Sequence, residues 1–100
     1  MYDEGLGVPQ DYKTAVKWYR LAAEKGHANA QSNLGVMYAY GQGVIQDYVR
    51  AHMWYNIAAS SGNANASKNR DTAAERMIPA DISAAQTLAR ECVAKNYRGC

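Results

Sequence analysis

The residues best equipped for chemistry in this chain are two histidines, two cysteines, and recurring aspartate and aromatic side chains. His27 and His52 have no second histidine or cysteine at the short spacing that zinc sites use, so neither is expected to bind a metal. Each is predicted to be a surface or half-buried imidazole. No cofactor or metal site is predicted.

Cys92 and Cys100 lie near each other at the end of the sequence. Cys92 falls on the apolar stripe of a predicted helix, where a small buried hydrophobic residue is more typical than a nucleophile. Cys100 is predicted to lie in a frayed end (residues 96–100), where it could form an intermolecular disulfide during handling. An intrachain disulfide stays open, but the chain lacks the repeated cysteine pairs of small secreted domains.

Two Gly-x-Gly-Val turns, at Gly5 and Gly41, resemble phosphate-binding loops at first sight. A dinucleotide-binding loop needs a preceding strand and a third glycine, whereas helical patterns flank both turns here. We interpret these glycines as residues of positive φ that join two antiparallel helices. No phosphate site is predicted.

Acids and aromatic residues also recur in pairs. Asp11 and Asp47 both stand at the start of a predicted helix, so they are expected to cap helices rather than converge as a catalytic pair. The Trp-Tyr pairs at 18–19 and 54–55 could suggest an aromatic ligand cage. Because they fall on amphipathic stripes, packing in the core is the favoured interpretation. No catalytic residue is predicted.

These recurrences belong to one long internal repeat. Residues 1–30 return at residues 37–66 without a gap, and 17 of the 30 positions are identical. A repeat of this size indicates stacked supersecondary units rather than a closed globule. Met1 itself occupies a repeat position, so we expect the sequence to be the C-terminal part of a longer protein. No compartment is predicted.

Each unit is predicted to be a pair of antiparallel helices, because apolar residues recur at i, i+3, i+4 and i+7. After residue 66 the repeat decays, and Pro79 is well placed in the first turn of a final helix. Predicted helices cover about 11–25, 29–40, 47–61, 65–77 and 80–96. The predicted single domain comprises an incomplete repeat (1–26), a complete repeat (27–62), and a degenerate repeat with a capping helix (63–100).

Composition argues against two classes of partner. The net charge is +2, from 11 Lys and Arg against 9 Asp and Glu, and no basic stripe with interleaved aromatic residues occurs. A nucleic-acid partner is therefore not expected. No apolar run approaches the roughly 20 residues that span a bilayer, so no membrane insertion is predicted.

The spaced positions of the repeat resemble the Sel-one-like repeat (SLR) family. The first unit matches from Tyr2 through Gly26, and residues 77–91 resemble the capping helix of many bacterial members. This resemblance implies an all-α, right-handed α/α superhelical solenoid similar to tetratricopeptide repeats. It also implies adaptor or scaffold roles, without a specific ligand. In the second unit the pattern comprises Ala30, Leu34-Gly35, Tyr38, Gly41-x-Gly43-Val44, Asp47, Ala51, Trp54-Tyr55, Ala58-Ala59 and Gly62.

One candidate site remains, on the first helix of each pair, which lines the concave side of such solenoids. Residues off its apolar stripe are expected to contact a protein or peptide partner. An asparagine that recurs at 33 and 69 can donate to and accept from a peptide backbone. A solvent-exposed amide or a helix-to-helix hydrogen bond is the alternative. The candidate residues are Asn33, Met37, Tyr40, Asn69 and Arg76.

Three functions follow as hypotheses. The first is a noncatalytic protein–protein interaction scaffold that holds a peptide or partner helix on its concave face. The second is a cell-wall or β-lactam-related hydrolase, because some cysteine-rich relatives have been linked to penicillin binding. Against it, the chain has no repeated cysteines and no Ser-x-x-Lys motif. The third is self-association into a homo-oligomer, since helix 11–25 without a partner helix would expose its apolar stripe.

Overall fold

The computed structural model describes residues 11–100, and this part of the chain contains five α-helices and no strand. Successive helices pack together from α1 to α4, and α5 packs against α3. The predicted all-α solenoid is therefore confirmed, and each helix end lies within three residues of its predicted position. The helices are α1 (Tyr12–Glu24), α2 (Ala28–Tyr40), α3 (Tyr48–Ser60), α4 (Ala64–Ala74) and α5 (Pro79–Ala94).

Local capping residues fix where the helices begin and end. The carboxylates of Asp11 and Asp47 each accept a hydrogen bond from the backbone N–H three residues later, at 3.1 Å. Just beyond the ends of α1 and α3, Gly26 and Gly62 have φ values of 88° and 103°, a left-handed conformation that suits glycine. Pro79 occupies the first turn of α5. The predicted aspartate caps and the predicted place of Pro79 are confirmed.

The Gly-x-Gly-Val turn of the second unit joins α2 to α3, as predicted. Gly41 and Gly43 have φ values of 66° and 77°. Gly43 also lies against the start of α1, where a Cβ would lie 2.5 Å from the backbone oxygen of Tyr12. The equivalent turn at Gly5 lies outside the described residues.

Helix α3 lies at the centre of the described structure, in contact with α2, α4 and α5. Its Trp54 is fully buried and its Tyr55 is 3% exposed, as the repeat pattern predicted. Met53 and Ile57 complete a helix that is buried on nearly every side. Leu34 of α2 is also fully buried. The core of the molecule is therefore built around α3.

Trp18 differs from its repeat equivalent, Trp54, because its side chain is 63% exposed. Leu21, which is equivalent to the buried Ile57, is 45% exposed. The neighbouring helices explain the difference. Helix α5 covers Ile57 on α3, whereas α1 packs mainly against α2 among the described residues. The prediction that Trp18 packs in the core was wrong.

The approach of α2 to α3 depends on the absence of a side chain at Gly35. A Cβ at this position would lie 2.6 Å from two atoms of the Tyr55 ring, well inside normal contact. The group that packs against Gly35 is therefore an aromatic ring of α3. Tyr55 therefore determines how closely these two helices pack.

The C-terminal segment is ordered, so the prediction that residues 96–100 fray was wrong. Cys92 and Cys100 form an intrachain disulfide, and Cys100 is 9% exposed rather than free at the surface. Asn96 and Tyr97 adopt left-handed φ values of 57° and 67°, which turn the chain back after α5. A disulfide that closes so short a loop contributes about 2–3 kcal/mol by restricting the unfolded chain.

Two side chains anchor this segment to the repeats. The Arg50 guanidinium donates to the Cys100 carbonyl oxygen at 2.6 Å and also pairs with Asp47 at 3.6 Å. The ring of Tyr97 reaches the α1–α2 turn, where a Cβ on Gly26 would lie 3.5 Å away. Arg50 therefore contacts both the start of its own helix and the chain end.

His52 is buried, at 3% exposure, and not at the surface or half-buried as predicted. Its Nδ1 atom has no hydrogen-bond partner among the described residues. Burial and then the positive charge of Arg70 lower the pKa of His52 below its usual value, and Asp71 opposes this effect. The folded protein therefore favours a neutral imidazole here.

We expect Gly35→Ala to destabilise the protein by about 1–3 kcal/mol, because the added methyl group must displace the Tyr55 ring. Urea unfolding followed by circular dichroism measures the free energy of unfolding. In a Tyr55→Ala background, which removes the Cδ1 and Cε1 atoms that the new methyl group would meet, the same glycine substitution should cost less. Equal costs in both backgrounds would contradict the assigned contact.

We expect the free energy of unfolding to fall as the pH drops below about 6.5, since the unfolded chain then protonates His52 while the folded chain resists protonation. Above that pH the imidazole is neutral in both states, so its contribution is constant. Chemical unfolding at a series of pH values measures the effect. His52→Gln should flatten the pH dependence, whereas the matched control His27→Gln, at an exposed position, should not. A pH dependence that His27→Gln flattens and His52→Gln leaves unchanged would contradict this assignment.

Candidate functional site

A cavity of about 330 Å³ opens between α2 and α4, and α3 forms its floor. We call it the α2–α4 pocket. It lies where α2 ends, where the following loop enters α3, and along the second half of α4. The lining residues are Ala39, Tyr40, Gln46, Tyr48, Tyr55, Asn69, Thr72, Ala73 and Arg76.

Three of the five predicted partner-contact residues line this pocket. Tyr40 and Arg76, which occupy equivalent positions in successive units, lie at its α2 and α4 sides, and Asn69 lies on α4 between the helices. Tyr40 is 72% exposed and Arg76 is also exposed, so both side chains are accessible to a partner. Their role as partner contacts stays a prediction.

The other two predicted residues lie outside the pocket. Asn33 is exposed on α2, seven residues before Tyr40 and therefore close to two helical turns away on a similar face. Met37 is only 8% exposed, so the expectation that it lies off the core was wrong. Since α2 packs between α1 and α3, most of its circumference is buried. The equivalent Ala73 is 4% exposed, which shows the same inward orientation.

Tyr55 brings a hydroxyl group to the floor of the pocket. Its side chain is 3% exposed and lines the cavity, and its hydroxyl takes part in no hydrogen bond with another described residue. Burial and then the nearby Tyr40 raise the pKa of Tyr55 to about 12. The phenol is therefore protonated at neutral pH and available as a hydrogen-bond donor.

The pocket wall offers hydrogen-bonding groups and a single positive charge. Among the described residues that line it, Arg76 is the one cation and none is acidic. The Gln46 side-chain amide donates to the Ala39 carbonyl oxygen at 2.9 Å, which holds the loop against the end of α2. Tyr48 and Thr72 add hydroxyl groups at the wall. The arrangement suits a ligand rich in hydrogen-bond acceptors.

The part of the chain that the structure describes contains no group of three or more His, Cys, Asp or Glu side chains placed to hold a metal ion. His27 is exposed at the start of α2 and makes no side-chain capping bond. Of the five described helices, none has the length and apolar character needed to cross a membrane.

Sequence reasoning missed the contribution of α3 and its preceding loop to the pocket. Tyr55 was assigned to the core from its position on the apolar stripe, and its burial confirms that assignment. The residue type held a further signal, because the polar tip of a buried tyrosine usually needs a partner. With 8 Tyr and no Phe, the chain retains this polar tip at many packed positions. Nothing in the sequence pattern indicated that the pocket would be lined by Gln46, Tyr48 and Thr72.

Comparisons with known proteins agree with the observed architecture. The sequence model of the Sel1 repeat matches residues 1–27 and 28–63. Among solved structures, the chain is similar to the crystal structure of c5321, a protective antigen present in uropathogenic Escherichia coli strains that displays an SLR fold. The sequence identity is 32% and the TM-score is 0.83. That match covers 93% of this chain and 21% of the length of the antigen. No curated protein sequence gives a significant match.

The family model and the comparison with solved structures thus indicate the same family. The Sel1 matches cover more than half of the sequence, and they include the capping aspartates, glycine turns and Trp-Tyr pairs of both units. The similarity to an SLR-fold structure extends over nearly the whole chain, including the divergent final helices. This chain belongs to the Sel1 repeat family.

Proposed function

We propose that this protein is a noncatalytic interaction scaffold that binds a peptide or a partner helix across α2 and α4. Sel1 repeats commonly act as protein-interaction scaffolds. The observation that carries the proposal is the α2–α4 pocket, because it gathers Tyr40, Asn69 and Arg76 from two successive units. A surface built from equivalent positions of neighbouring repeats is typical of solenoid binding faces.

The two recurring asparagines support a peptide ligand. The side-chain amides of Asn33 and Asn69 make no hydrogen bond with other described residues, so their donors and acceptors are available. The helix-to-helix bond considered as an alternative occurs elsewhere, where Asn63 donates to Asn29 at 2.8 Å. These amides on successive repeat units offer both donors and acceptors to the backbone of an extended peptide.

Substitution of both asparagines should weaken partner binding about tenfold, since each lost hydrogen bond contributes about 0.5–1.5 kcal/mol. The partner can be identified by placing a photocrosslinking amino acid at Tyr40 in lysate of the source organism. Calorimetric titration of that purified partner then compares wild type with Asn33→Ala/Asn69→Ala. Gln86→Ala, an exposed amide on α5, is the matched control. Unchanged affinity of the double variant would rule out this binding face.

The hydrolase hypothesis receives no support from the described residues. Its basis is a likeness to cysteine-rich relatives that look disulfide-stapled in every repeat. Here the disulfide Cys92–Cys100 joins α5 to the chain end and does not link the two helices of a repeat. The interaction scaffold and self-association are therefore the two functions proposed for this chain.

Self-association is a second candidate function, favoured by the exposed apolar side of α1. Trp18 and Leu21 are 63% and 45% exposed, whereas the equivalent residues of α3 are covered by α5 and its other neighbours. Two neighbouring large apolar side chains on one helix form a patch that association commonly buries. A second copy of the chain could cover this patch by an isologous contact.

We expect sedimentation velocity to show a concentration-dependent dimer of the 100-residue protein. Trp18→Ser/Leu21→Ser should shift the protein to monomer, because it removes the apolar surface that association buries. Leu88→Ser, at a 37% exposed apolar position on α5, provides the control and should leave the dimer intact. A wild-type protein that stays monomeric at high concentration would refute self-association.

A further inference from the structure

The α2–α4 pocket supports a more specific inference, which rests on the proposed function. We propose that the pocket binds a carboxylate group of a peptide partner. Arg76 contacts the carboxylate at the side of α4, and the Tyr55 hydroxyl donates to it from the floor. The interaction-scaffold function does not specify which chemical group is bound, and a carboxylate is the group proposed for this pocket.

The charge of the pocket lining favours an anionic ligand. Arg76 lines the pocket and forms neither an ion pair nor a hydrogen bond with another described side chain, in contrast to Arg50 and Arg70. Its guanidinium fork is therefore available, and a planar carboxylate is the group that this fork binds in a bidentate manner. The acids nearest to Arg76 in sequence, Asp71 of α4 and the adjacent Glu75, do not line the cavity. The local charge thus favours an anion.

The Tyr55 hydroxyl is a second, independent feature of the pocket. A tyrosine hydroxyl among packed groups usually takes part in a hydrogen bond. Tyr38 follows this rule, because its hydroxyl accepts a hydrogen bond from Arg20 at 2.8 Å. The Tyr55 hydroxyl has no such partner among the described residues, and it keeps solvent contact in the pocket. A ligand oxygen in the pocket would satisfy it.

The volume of the pocket and its single positive charge restrict which ligands fit. A volume of about 330 Å³ accommodates a side chain with part of its backbone and lies at the small end of ligand pockets. One arginine balances a singly charged carboxylate better than a phosphate, which carries about −1.5 to −2 charge at neutral pH. The exposed ring of Tyr40 and the ring of Tyr48 supply aromatic surface for the peptide on either side. An acidic peptide fits these features together.

Nuclear magnetic resonance titration with three short peptides tests the proposal. The probes are acetyl-Ala-Glu-Ala-amide, its neutral counterpart acetyl-Ala-Gln-Ala-amide, and acetyl-Ala-Ala-Ala with a free C-terminal carboxylate. We expect at least one acidic probe to cause saturable shifts in the side-chain N–H signals of Arg76 and Asn69. The neutral probe should bind about tenfold more weakly, as expected for loss of a charge-assisted hydrogen bond. The responding acidic probe reveals whether a side chain or a chain terminus supplies the carboxylate.

Two variants and one control assign the binding to the pocket. Arg76→Gln should weaken the acidic probe about tenfold, and Tyr55→Phe should weaken it by a smaller factor. Because that hydroxyl has no described partner, Tyr55→Phe should keep the melting temperature of the wild type. Arg98→Gln removes an equivalent exposed charge in the chain end and should leave binding unchanged.

Several results would overturn the carboxylate inference. These are binding of the neutral probe as tight as that of both acidic probes, no saturable shift at the pocket with any probe, and an Arg76→Gln variant that binds like wild type. The proposed scaffold function fails on different grounds, namely when the native partner binds without dependence on Asn33 and Asn69. A partner that needs both asparagines but not Arg76 would leave the binding face intact and remove its preference for a carboxylate.

Discussion

The packing of the Tyr55 ring against Gly35 is the contact on which both the fold and the candidate site depend. A Cβ at Gly35 would occupy the space of the ring, so glycine allows α2 and α3 to approach at this point. The same ring carries its hydroxyl to the floor of the α2–α4 pocket. Asn69 of α4 and Arg76, just beyond the end of α4, then close the pocket from the other side. One glycine–aromatic contact therefore connects the packing of the scaffold to the chemistry of its surface.

Identical residues in the two repeat units lie in different environments because the helices packed around them differ. Trp54 is buried in a helix that contacts three others, whereas Trp18 lies on a helix packed mainly against one among the described residues. Helix α5 produces much of this asymmetry by packing on α3, and the disulfide-linked chain end reinforces it through Arg50. The repeat thus specifies the helices, and the order of stacking decides which of their faces meet solvent.

The features that were predicted correctly from the sequence are mainly those that depend on interactions between neighbouring residues. Caps such as Asp47 and turns such as Gly41 depend on a few neighbouring residues, and they were predicted correctly. Periodicity also located the core, but it could not say that Met37 is enclosed from two sides. The buried His52 and the contact of Arg50 with the chain end depend on elements distant in sequence. For the candidate site, periodicity indicated the α2 and α4 faces, while the contribution of Tyr55 required its three-dimensional placement.

Hydrogen–deuterium exchange of the protein with and without its captured partner tests the central claim most directly. This measurement reports the bound surface without assuming which side chains contribute to it. The binding face assigned to α2 and α4 predicts slower exchange on complex formation in residues 33–40 and 69–76, with little change in α5. Protection confined to the Trp18 side of α1 or to α5, with residues 33–40 and 69–76 unaffected, would contradict the account.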